Sequence, residues 1–171
     1  MTAADTPHGP APDDAGARLP FFVYGTLRPG ERYHLRLLTG RTASEAPARL
    51  PGAVLYEGPG YPYATEGDGV VTGALIAPLP EAYGQVLRVL DQLEECYGPG
   101  NPRNLYDRVA RTVELPGGGT ARAWVYLAAA PLARELREYG TPLPGGDWLS
   151  ARPPAPARPR SPSARGNVDR A

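Results

Sequence analysis

One stretch, Phe21-Phe22-Val23-Tyr24-Gly25-Thr26-Leu27-Arg28-Pro29-Gly30, restricts this chain most. Its first four residues are aromatic or β-branched, which suits a buried strand. Gly25 then breaks the strand, and Pro29-Gly30 turns the chain soon after. A buried strand that stops at a glycine brings bare backbone N–H groups to its tip, where they can cradle a carboxylate or a developing oxyanion. The same residues also suit an ordinary core strand with a tight turn, and other parts of the chain have to decide between the two.

Proline (22) and glycine (21) together make up a quarter of the 171 residues, so elements are short and often interrupted. Residues 42–50 read weakly as a strand and 53–56 more clearly. Residues 57–69 read as a loop. Strands are expected again over 70–77, 105–115 and 121–127, with Pro116-Gly117-Gly118-Gly119 turning between the last two. In the last strand Trp124 and Tyr126 share one face, Ala123 and Val125 the other. Residues 31–38 suit a helical turn, 96–104 a loop and 132–139 a short helix. The best helix spans 80–95, with Pro80 and Glu81 in its first turn. Several short strands and one substantial helix predict an α+β domain, a small, mostly antiparallel β-barrel with the helix packed at its side. Residues 1–18 hold little but Ala, Asp, Pro and Gly, and are expected to form a disordered arm. Residues 150–171 are a Pro/Arg-rich tail of the same kind, leaving one domain over 19–149.

The net charge is zero, with 18 basic residues, all arginine, against 18 acidic ones. That balance gives no electrostatic case for nucleic acid or a membrane surface as partner. No apolar run is long enough to span a bilayer or serve as a secretory signal. The single cysteine, Cys96, cannot form an internal disulfide. These features predict a cytoplasmic protein. There is no P-loop, no cysteine cluster and no closely spaced histidine pair. His34 has no partner recognisable in sequence and reads as structural. The placement of Glu94 is distinctive. On the helix, Val86, Leu87, Val89, Leu90 and Leu93 form an apolar arc, and Glu94 projects inside it, between Leu87 and Leu90. A carboxylate there must reach the rim, find a partner or take a raised pKa, and a Glu poised near neutrality is a competent general base. A helix-end glutamate turned to solvent fits the same pattern. Asp91 and Glu95 fall outside the arc, so substitutions there are expected to be mild by comparison.

Tyr24-Gly25-Thr26-Leu27-Arg28 on a first strand resembles the opening motif of the γ-glutamylcyclotransferase-like (AIG2-like) family. Leu90-Asp91-Gln92-Leu93-Glu94 resembles that family's Leu-Asp-x-x-Glu segment. Leu105-Tyr106-Asp107-Arg108 resembles the strand that follows it, and Gly145-Gly146-Asp147-Trp148 an ending seen in some members. The four matches come in the family's order and span about residues 21–149. The resemblance implies a small barrel fold and a reaction without metal or cofactor on a small-molecule γ-glutamyl amine or peptide. In that reaction the substrate's α-amine attacks its own γ-carbonyl, closing 5-oxoproline and expelling an amine. It implies Glu94 as the catalytic acid/base, with backbone N–H groups over Tyr24, Gly25, Thr26 and Leu27 holding the substrate. Tyr106 and Tyr126 are candidate pocket hydroxyls and equally candidate core residues. The family usually has glycine where this chain has Glu95. A catalytically silent module of the same fold that binds a small metabolite is the alternative.

Overall fold

The computed structural model describes residues 17–151. The expected arm up to residue 16 and the expected tail from residue 152 lie outside the described residues. Five strands close into a barrel: β1 (Phe21–Val23), β2 (Thr42–Tyr56), β3 (Tyr63–Pro78), β4 (Tyr106–Glu114) and β5 (Thr120–Ala128). Their order around the barrel is β1-β3-β2-β4-β5, antiparallel except where Phe21 of β1 meets Trp124 of β5. Three helices accompany them: α1 (Tyr83–Leu93), α2 (Ala130–Tyr139) and the one-turn α3 (Trp148–Ala151). The expected barrel with one flanking helix is the fold observed.

Alternation along β1 divides the core in two. Phe22 faces inward with Ala48, Leu50, Leu55, Val71, Val113, Ala123 and Val125, so all five strands fill the barrel. Phe21 and Val23 face outward with Ile76, Ala110, Trp124 and Tyr126, where Tyr83, Val86 and Leu90 of α1 cover them. Val86 and Leu90 are both 1% exposed, and burial of each such side chain contributes roughly 1.5–3 kcal/mol. The apolar arc of α1 therefore locks the helix against the outside of β1 and β5, which sets where its C-terminus can lie.

Two expectations about β2 and β3 need correction. The segments 42–50 and 53–56 are one strand of 15 residues. Gly52, at φ 76°, sits in a register shift between Pro51 and Ala53 and reverses the alternation. Ala48 and Leu50 point inward before it, and Ala53 and Leu55 after it. The phase change made one strand look like two. Residues 63–69, expected as loop, are the first half of β3 and pair Tyr63 to Glu66 against Tyr56 to Ala53. Their glycines hide the local signal, and the pairing with β2 that buries Ala64 and Thr65 overrides it. The expected helix over 80–95 begins as a 3₁₀ turn, Pro80–Ala82, and is α-helical over Tyr83–Leu93. The helical turn within 31–38 is a π-helical turn, His34–Leu38.

Candidate active site

Glu94 sits at the last turn of α1, and the way that helix stops decides where it points. The Cys96 N–H donates to the Asp91 carbonyl (2.8 Å) and the Glu95 N–H to that of Gln92 (3.3 Å). This is a Schellman closure, in which the residue after the cap adopts a left-handed conformation. Glu95 does so, at φ 49°, and is the only non-glycine residue with positive φ among those described. The glycine usual in the resembled family would take that conformation without steric cost. Cys96, next in line, is buried in the same apolar cluster as Leu90. The end of α1 is thus anchored on both sides of Glu94.

The tip of β1 supplies the facing wall. The Arg28 N–H closes a turn on the Gly25 carbonyl (3.0 Å), and the Thr26 carbonyl accepts from Tyr33 (3.0 Å) and His34 (3.3 Å). The N–H groups of Gly25, Thr26 and Leu27 donate to no backbone carbonyl among the described residues. Gly25 has a packing reason to be glycine: a Cβ there would lie 2.7 Å from Pro62 Cδ. The loop between β2 and β3 closes over the strand tip only because that side chain is missing.

Between these walls lies a cavity of about 150 Å³. The residues given a catalytic or substrate-binding role from the sequence, Tyr24, Gly25, Thr26, Leu27, Glu94, Tyr106 and Tyr126, all line it. Tyr33, Tyr61, Pro62, Leu93 and Leu105 also contribute; Leu93 and Leu105 stand within the motif segments, the aromatics of the 57–69 stretch fit a pocket mouth or plain packing equally in sequence, and Tyr33 carries no signal of its own. Glu94 is partly exposed through the cavity, yet no side chain among the described residues pairs with its carboxylate by hydrogen bond or charge. Burial alone pushes its pKa up to about 7. The Tyr24, Tyr106 and Tyr126 hydroxyls are all held well above their ordinary value. Burial is the main cause, and the Glu94 charge adds to it in each case. The three phenols therefore stay protonated around the carboxylate. Tyr24 Oη donates to the Tyr126 carbonyl (2.5 Å) and Tyr126 Oη to Asp91 Oδ1 (2.7 Å). Tyr106 Oη makes only a long contact with the Pro62 carbonyl (3.5 Å), and is the least committed donor of the three.

Asp91 is not a bystander, contrary to its place outside the apolar arc. Arg108 on β4 donates to it from Nε (2.9 Å) and from a terminal nitrogen (3.3 Å), and the guanidinium lies 4.6 Å from the Trp124 ring centre. This carboxylate holds Tyr126 in place from one turn before Glu94. The signal was present, since Asp91 and Glu94 share one motif, but its partners come from β4 and β5. His34 does find a carboxylate, Glu45 on β2, at 2.6 Å. It accepts from the Gly30 N–H at Nδ1 and ties its turn to the barrel without lining the cavity. Cys96 is buried in the core and also does not line it.

Fold and cavity together define a class: small mixed barrels in which a helix-end glutamate faces the tip of the first strand. The sequence profile of one family, described as gamma-glutamyl cyclotransferase, AIG2-like, matches residues 21–150. This chain belongs to that family. It is 37% identical over 106 residues to the gamma-L-glutamyl-butirosin B gamma-glutamyl cyclotransferase of Niallia circulans, a match spanning 62% of this chain and 64% of that one. A Halalkalibacterium halodurans protein named for γ-glutamylcyclotransferase activity is 40% identical over 98 residues, 56% of this chain and 77% of its own. Among solved structures, an AIG2-like protein of mouse superposes with a TM-score of 0.50 at 27% identity, covering 65% of this chain and 77% of that one. YkqA of Bacillus subtilis does so at 0.53 and 25%, covering 77% and 40%. Among the described residues no helix is long and apolar enough to cross a membrane.

Proposed function

We propose that this protein is a γ-glutamylcyclotransferase that releases 5-oxoproline and an amine from a γ-glutamyl amine or peptide, with Glu94 as the acid/base. The observation that carries the reading is a largely desolvated carboxylate with no side-chain partner among the described residues, across a cavity of about 150 Å³ from three N–H groups that donate to no backbone carbonyl among them.

The substrate supplies its own nucleophile. Tethered pairs of this kind reach effective molarities of about 10⁵–10⁸ M, so the protein has three tasks: to fold the glutamyl chain back on itself, to manage protons and to stabilise the oxyanion. The α-ammonium pairs with ionised Glu94, which takes one proton. The freed amine attacks the γ-carbonyl carbon. A new C–N bond forms, and the carbonyl oxygen becomes an oxyanion facing the N–H groups of Gly25, Thr26 and Leu27. Glu94 returns its proton to the departing nitrogen as the old C–N bond breaks. The proton lost when the ring nitrogen becomes an amide follows the same route, and the amine leaves as an ammonium. A carboxylate near neutrality suits both halves of this exchange. In this reading Tyr106 donates to the substrate, supported by its hydroxyl making only a long contact with the Pro62 carbonyl, and Tyr126, held by Asp91, shapes the wall.

The test is release of 5-oxoproline from a panel of γ-glutamyl amines and peptides by wild type and Glu94→Gln. Release by wild type and loss in the variant are expected. No release from any substrate would leave the silent binding module as the better reading.

A further inference from the structure

Each phenol in the cavity has one proton, and the partner it already serves settles where that proton points. Tyr126 Oη lies 2.7 Å from Asp91 Oδ1, and Asp91 accepts two bonds from Arg108, at 2.9 and 3.3 Å. A carboxylate engaged in that way only accepts, so the phenol donates. Tyr24 Oη lies 2.5 Å from the Tyr126 backbone carbonyl, which also only accepts. Both protons are therefore committed to the protein's own wall, and both oxygens keep lone pairs. No donor reaches Tyr126 Oη among the described residues, and Tyr24 Oη takes one bond from the Ala64 backbone, which leaves it one lone pair. Tyr106 differs, because its 3.5 Å contact with the Pro62 carbonyl leaves its proton nearly free.

We infer that Tyr24 Oη and Tyr126 Oη accept hydrogen bonds from the substrate's α-ammonium, and that together with the Glu94 carboxylate they match its three N–H donors. The inference rests on the reading of this cavity as a γ-glutamyl site. Tyr24, Glu94 and Tyr126 come from the tip of β1, the end of α1 and β5, and all line the one cavity. The Glu94 charge reaches both phenol oxygens. The other titratable lining groups are Tyr33, Tyr61, Glu95 and Tyr106, and no arginine, lysine or histidine is among the described residues that line it. Acceptors without a protein cation favour a cationic donor. The cavity is thus divided by polarity. Tyr24, Tyr126 and Glu94 offer acceptors, while Tyr106 Oη and the N–H groups of Gly25, Thr26 and Leu27 offer donors. A ligand of the same chain without the ammonium leaves the acceptors unmatched, at a cost. Asp91 and Arg108 act at one remove, as positioning residues that fix the direction of the Tyr126 proton.

The experiment measures binding of L-glutamate and of glutarate, which differ only in the ammonium, by NMR titration at about pH 8, where Glu94 is ionised. The ratio of the two dissociation constants isolates the ammonium. In wild type L-glutamate is expected to bind about tenfold or more tighter. Tyr126→Phe and Tyr24→Phe each remove an accepting oxygen and are expected to cut that ratio by about threefold or more. Tyr106→Phe is expected to weaken both ligands alike and leave the ratio unchanged, because its proton serves groups that they share. A merely structural loss at Tyr24 or Tyr126 would do the same. Melting curves establish that each variant is folded, and Tyr126→Phe, which keeps the Asp91–Arg108 pair, decides the matter should Tyr24→Phe not fold. A wild-type ratio near one, failure to bind either ligand, or a ratio unchanged in the folded variants overturns the assignment. Release of 5-oxoproline from γ-glutamyl amides by wild type is scored separately. Its absence alongside the expected ratios overturns the activity and upholds the ammonium site. Its presence alongside unchanged ratios upholds the activity and overturns the site.

Discussion

Glu94 and Glu95 are adjacent residues with opposite physical burdens. Glu94 carries a cost of burial: its pKa rises from 4.5 to about 7 because water is withdrawn and nothing replaces it. A carboxyl raised in the folded state stabilises the fold fully below its unfolded pKa, and that contribution is lost as pH rises through about 7. Glu94→Gln should therefore melt higher than wild type at about pH 8, by on the order of 1 kcal/mol once its access to water is allowed for. The difference should close near pH 4. The same substitution should lower kcat at least about a hundredfold. In wild type, kcat/KM should fall with acid below about pH 7 with unit slope, since ionised Glu94 is the base, and this limb should vanish in the variant. Glu95 carries a backbone cost instead, at φ 49°. Glu95→Gly should raise the melting temperature, with a gain of about 1 kcal/mol or less because glycine also loosens the unfolded chain. Thermal unfolding followed across pH measures both.

At the scale of elements, the cavity depends on α1 and the strand tip being held at a fixed separation. One tie is the Asp91–Arg108 pair, with Tyr126 bonded to the same carboxylate. Asp91→Asn weakens a partly buried ion pair and should cost about 1–3 kcal/mol. It should also lower kcat/KM, because Tyr126 loses its anchor. Tyr126→Phe keeps the Asp91–Arg108 pair and should lower activity with less effect on melting. The other tie is the contact of Gly25 with Pro62. Gly25→Ala must displace the proline ring from 2.7 Å, which opens the loop over the cavity. Activity should drop by more than about tenfold through misplacement of the N–H groups. Inactive Gly25→Ala with unchanged substrate affinity would argue against a binding role for that tip.

For the whole molecule, the barrel closes at its shortest strand. The Trp124 backbone N–H donates to the Pro20 carbonyl (2.8 Å), and β1 joins β3 to β5 through only three residues. The C-terminal turn is fastened to the loop after β1 by Arg28 and Asp147. Burial pushes the Asp147 carboxyl upward, but the Arg28 and Ser150 hydrogen bonds and the Arg28 charge outweigh it and hold the group below its usual value. A lowered carboxyl stabilises above its unfolded pKa and loses that contribution as pH falls through the folded one. Asp147→Asn should thus cost about 1 kcal/mol at neutral pH and little in strong acid. Melting curves at the two pH values decide it.

The chain alone determined the elements whose signal is local and periodic. The apolar arc of α1, the alternating faces of β5, the strand ended by Gly25 and the odd position of Glu94 are all readable because each depends on neighbours a few residues away. Their order also made the family visible. Tertiary structure alone decided what depends on distant partners. The first half of β3 is a strand because β2 pairs with it, and β2 is continuous because Gly52 absorbs a change of phase. Asp91 became a support because Arg108 and Tyr126 arrive from other strands. Arg28 and Asp147 pair because the fold brings together residues far apart along the chain. Periodicity records what a residue needs from its own element, and only closure of the barrel specifies which residues from elsewhere supply it.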